Sequence, residues 1–184
     1  MTEAQHGLFE VEQAAASPAP AAPRRLLVEV SSRLSSAVES AAGTHAAFGV
    51  VIRDGGSGER VAELAETCDA PPDDTEPPET GADRIVRTTC AGVVAGLELA
   101  READPSAELE VRVAERAVAE RMAAGTTPSD SAESVPDVEG VVWTWVPRGD
   151  APAADALAEA ALSGSPTRRV SLRARDRSGG RSST

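Results

Sequence analysis

The chain contains no lysine, no asparagine and no tyrosine, and all 18 of its basic residues are arginine. Aromatic residues make up only 2% of it, two tryptophans and two phenylalanines. A core must therefore be assembled from small aliphatic side chains, and the 41% hydrophobic fraction leans on alanine and valine. Only two cysteines occur, Cys68 and Cys90, without metal-ligand spacing. This excludes a disulfide scaffold and a structural zinc site, and it fits a reduced, cytoplasmic protein. No apolar run approaches a membrane span, and the N-terminal stretch lacks a basic-then-apolar leader, so no membrane association is expected. Basic charge is also short overall: the net charge is −12, which works against a general grip on phosphates.

What is present falls into three stretches. Residues 1–24, ending in AAASPAPAAPRR, are too poor in large apolar groups to fold alone and are expected to form a disordered arm. Residues 25–162 carry the periodic patterns of one domain. Residues 163–184 hold six arginines (Arg168, Arg169, Arg173, Arg175, Arg177, Arg181) against one acid, a net +5 that leaves −17 for the rest. This serine-, glycine- and arginine-rich tail is expected to be disordered. It is a candidate either to touch nucleic-acid phosphates or to fold back on acidic loops.

Within the domain, LLVEVS (Leu26–Ser31), AFGVVIR (Ala47–Arg53) and ERVAELAET (Glu59–Thr67) read as three strands, the last two joined by the Asp54-Gly55-Gly56 hairpin signal. Between them and the next element lies an acidic loop, 69–83, with six acids and four prolines. Thr80 and Asp83 have capping-box spacing, and the helix they start runs to about Ala103, buried through Val86, Cys90, Val93, Val94, Leu97 and Ala100. Gly92 and Gly96 would let it lie close to a sheet. ELEVRV (Glu108–Val113) is a fourth strand, Ala114–Ala124 a short helix, and 126–139 a second acidic loop. Val141–Val146 is apolar on both faces and reads as a strand covered on both sides, its tryptophans in the core. Pro147 ends it, and Asp150 is placed as the N-cap of an alanine-rich last helix reaching Leu162.

The order β-β-β-α-β-α-β-α predicts an α/β domain with a mixed five-stranded sheet. Four stretches in this order, FGVVIRD, AGVVAGLELA, LEVRVAERAVAERM and the WVPRGDAPAADALAEAAL segment, resemble the type 1 ribonuclease H family. The resemblance implies the ribonuclease H-like fold and, for active members, Mg²⁺-dependent cleavage of the RNA strand of RNA–DNA hybrids by four converging carboxylates. Mapped by that resemblance, the first-strand aspartate falls on Ser31, the first-helix glutamate on Thr89, the fourth-strand aspartate on Ala114 and the last-helix aspartate on Asp155. Only Asp155 keeps a carboxylate and stands as the one catalytic or metal-ligand candidate. The family's histidine falls on Ala153, and Glu115 is the nearest substitute acid for Ala114. The expected reading is a catalytically silent domain that needs no cofactor and serves a protein partner as an interaction or scaffold module. Two alternatives stand beside it: a working Mg²⁺-dependent ribonuclease H, and non-cleaving nucleic-acid binding through the arginine tail.

Overall fold

The computed structural model describes residues 22–35, 45–68, 80–125 and 140–170. The acidic loops 69–79 and 126–139, the arm up to residue 21, and Arg173, Arg175, Arg177 and Arg181 lie outside the described residues. The elements are β1 (Arg25–Leu34), β2 (Ala46–Asp54), β3 (Arg60–Cys68), α1 (Gly81–Ala103), β4 (Glu108–Val113), α2 (Arg116–Ala123), β5 (Val142–Trp145), α3 (Pro152–Leu162) and β6 (Thr167–Val170). They form one mixed sheet in the order β5-β4-β1-β2-β3-β6. β1, β2 and β3 are an antiparallel meander, while β4 and β5 run parallel to β1 because helices carry the chain between them. Among the described residues no helix is long and apolar enough to cross a membrane.

Alternation along β1 sorts its side chains onto two faces. Leu26, Val28 and Val30 lie fully buried under α1, with Val50, Ile52, Val111 and Leu97 in the same cluster. α1 starts at the expected capping box: Thr80 Oγ1 accepts from the Asp83 N–H and the Asp83 carboxylate accepts from the Thr80 N–H. It packs close to the sheet because a Cβ at Gly92 or Gly96 would stand 3.0 Å from Val30 or Val28. On the other face, Ser31, Gly49 and Ala65 sit side by side in neighbouring strands, all small. This row makes room for α3, whose Ala154, Ala158 and Ala161 are buried against it.

Four details depart from the sequence reading. The sheet has six strands, because Thr167–Val170, assigned to the tail by composition, pairs antiparallel with the edge of β3. Arg168 and Arg169 are therefore strand residues, and Arg168 reaches Glu102 of α1 at 2.9 Å. β5 is an edge strand, so its two apolar faces do not mean double cover: Val142 and Trp145 are exposed, while Trp143 is half-buried against the core. Arg116 lies over the Trp145 ring, 5.8 Å from its centre. The last helix is capped by Ala151 rather than Asp150, which instead closes a 3-10 turn, Arg148–Asp150. The second helix begins at Arg116, leaving Ala114 and Glu115 in the β4–α2 turn.

Candidate functional site

The candidate site lies where β1 runs past the end of β4 and under the start of α3. Ala114 N–H donates to Val30 C=O at 3.0 Å, which fixes the β4 end beside β1. Gly49 fixes the opposite wall: a Cβ there would stand 2.1 Å from the Ala154 carbonyl oxygen and 2.7 Å from Ala158 N, so the α3 backbone rests directly on β2. Asp155, in the first turn of α3, is thereby held over β1.

Its surroundings are basic. Ser31 Oγ donates to Asp155 Oδ1 at 3.2 Å. Two residues further along the same face of β1, Arg33 donates through Nε to Oδ1 at 2.9 Å and through Nη2 to Oδ2. This is the two-pronged guanidinium–carboxylate geometry that binds more strongly than a single contact. Arg33 Nη1 also stands 3.3 Å from Glu159, one helical turn beyond Asp155. From the 3-10 turn, Arg148 places Nε 3.6 Å from Asp155 Oδ1 and donates through Nη2 to Ser32 C=O at 3.1 Å. The Arg33 hydrogen bond is the main cause holding the Asp155 carboxyl below its ordinary range, against partial burial, and the same bond raises the Arg33 guanidinium. Two positive and two negative groups thus balance, which leaves no surplus charge for a phosphate.

The other mapped positions meet nearby but carry no acid. Thr89, fully buried, lies on the α1 face: its Oγ1 is 2.5 Å from Ser32 Oγ and donates to Ile85 C=O at 2.7 Å. Ala114 offers a methyl group. Glu115 contributes no side-chain cap to α2, and among the described residues no three His, Cys, Asp or Glu side chains form a metal-holding group. The residues that sequence reasoning missed are Arg33, Arg148 and Glu159. Two signals were in reach: Arg33 shares a strand face with Ser31, and Glu159 shares a helix face with Asp155.

The sequence matches no protein-family model and no curated protein. Solved structures do match. One is LC9-RNase H1, a type 1 RNase H with the type 2 active-site motif, at TM-score 0.54 and 16% identity over 80% of this chain and 75% of that one. Another is LC11-RNase H1, in complex with RNA/DNA hybrid, at TM-score 0.53 and 17% identity over 76% of this chain and 97% of that one. The fold is ribonuclease H-like. A second structure of LC11-RNase H1, isolated from compost by a metagenomic approach, agrees at TM-score 0.53 and 18% identity. Identities this low establish the fold and leave the activity to be argued from the site.

A ribonuclease H-like site of the magnesium type needs oxygen ligands around each ion, with several carboxylates converging on the pair. The residues here do not fit that group. The one mapped carboxylate has both oxygens engaged by a guanidinium, and the other three positions offer two hydroxyls and a methyl. The negative charge that would draw a divalent cation is already neutralised by the guanidinium of Arg33, with Arg148 beside it.

Proposed function

We propose that this ribonuclease H-like domain is catalytically silent and serves as an interaction or scaffold module for a protein partner. The observation that carries this reading is the Arg33 fork on Asp155. A guanidinium stays charged across the accessible pH range, so it acts as a permanent internal cation. Unlike a bound metal, it supplies no open coordination position and generates no hydroxide nucleophile. Among the described residues the other carboxylate at this place, Glu159, also lies on Arg33, so Asp155 holds the start of α3 to β1 instead of holding an ion.

Non-cleaving binding of nucleic acid through the arginine tail stands beside it as the alternative; of the tail arginines, Arg168 is paired with Glu102. Purified protein incubated with an RNA–DNA hybrid and Mg²⁺ is expected to leave the RNA strand intact, even with protein in excess. Cleavage by the wild type that disappears in Asp155→Ala would overturn the proposal.

A further inference from the structure

β5 is the one edge of the sheet that carries no charge. From Val141 to Val146 there is no Arg, Asp, Glu or Pro, whereas the opposite edge strand, β6, has Arg168 and Arg169 among its four residues. Charged side chains and prolines are the usual means of keeping a sheet edge from pairing with another chain. β5 has neither, and Val142 and Trp145 are the exposed large hydrophobic residues among those described. Val146 N–H donates to Val113 C=O, so by alternation Val142 and Thr144 also turn their backbone groups to β4. The N–H and C=O of Trp143 and Trp145 therefore face outward, and among the described residues no strand pairs with them.

The five residues Val142-Trp143-Thr144-Trp145-Val146 read the same in both directions. Two copies run antiparallel about a two-fold axis through Thr144 would set each residue opposite its own kind. Trp143 faces the partner's Trp145 and exchanges both backbone hydrogen bonds with it, Thr144 faces the partner's Thr144, and Val142 faces the partner's Val146. Aromatic and threonine cross-strand pairs are favourable ones. Beside the edge, α2 presents exposed Arg116 and Glu120, ion-paired within one copy at 2.7 Å. Their opposite signs allow complementary contacts across a two-fold axis. We infer that the occupant of this edge is a second copy of the chain, joined β5 to β5 so that two six-stranded sheets become one continuous sheet. Such an interface is isologous and closes at two.

The chain has two tryptophans and no tyrosine, so tryptophan emission reports this edge alone. In sedimentation across the micromolar range, the wild type should rise from 18.9 kDa toward twice that mass, with emission shifting to the blue in step. Trp145→Glu should self-associate at least about tenfold more weakly, through loss of the aromatic pairs and the charge placed against them. Thr144→Asp, which brings like charges together at the axis and sits opposite Arg112 in register, decides the matter if the first variant loses its far-UV signal. A wild type that stays at 18.9 kDa throughout overturns the inference, even if an oligonucleotide or an extended peptide quenches its tryptophans. So does a dimer that both variants retain.

Discussion

Gly49→Ala is expected to destabilise the protein more than any other single methyl addition on the α3 face. The added Cβ would meet the Ala154 carbonyl at 2.1 Å and Ala158 N at 2.7 Å, both backbone atoms of α3. No rotamer change relieves such a contact, so the helix must lift from the sheet. Overpacking ordinarily costs about 1–3 kcal/mol, and a backbone clash belongs at or beyond the top of that range. For a chain of this size that corresponds to a fall in Tm of roughly 6–12 °C. The lift also carries Asp155 away from Ser31 and Arg33, because Ala154 directly precedes it. Thermal unfolding checks the expectation: a variant melting within a degree or two of the wild type would mean that α3 does not rest on Gly49.

Arg33→Ala should have the second largest effect, through charge rather than shape. It leaves Asp155, whose side chain is 14% exposed, with only Ser31 Oγ and a longer contact to Arg148. Hydrogen bonds to charged groups are worth about 1.5–3 kcal/mol, and the partial exposure of Arg33 moves the expected loss to about 1–2. Arg33→Lys should fall between, because an ammonium cannot span both carboxylate oxygens. The pH profile separates this cause from lost packing. Since the Asp155 carboxyl is depressed in the folded state, its pair contributes fully above the unfolded carboxylate value of about 3.9 and is lost as pH falls toward the folded value. The wild type should thus lose its advantage over Arg33→Ala on acidification. Asp54, drawn down to about 2 chiefly by the Ser57 N–H and then by Arg24, contributes to the acid loss of both proteins and cancels in the difference. An unchanged gap between the two profiles at acid pH would contradict the ion-pair account.

Patterns that depend on neighbours within one element were legible before the structure. The α1 stripe, the Thr80–Asp83 box, the Gly92 and Gly96 approach and the Asp54 turn all follow from local spacing. In that turn, Gly56 and Ser57 N–H donate to Asp54 Oδ1. The juxtaposition of Ser31 with Asp155, across 124 positions of sequence, came from the ordered likeness of four stretches.

What escaped reading depends on what lies across a gap. β6 has no apolar run to announce it; Thr167 and Arg169 fall on one face and Arg168 on the other, and the strand forms because β3 offers an unpaired edge. β5 looked doubly covered because a strand's sequence does not say whether it stands at the centre of a sheet or at its rim. Arg33 falls two residues past Ser31, where the first strand is expected to end. Its meeting with Asp155 requires β1 to continue to Leu34, three residues beyond Ser31, with α3 laid across it.

The most direct test of the central claim is Mg²⁺ binding to the intact protein, followed by isothermal titration calorimetry into the millimolar range. If Arg33 fills the role of the cations, the wild type and Asp155→Ala should give the same trace, since whatever the acidic loops take up is common to both. A saturable Mg²⁺ uptake by the wild type that Asp155→Ala abolishes would show that the site accepts an ion, and the account of a guanidinium-filled, silent site would be wrong.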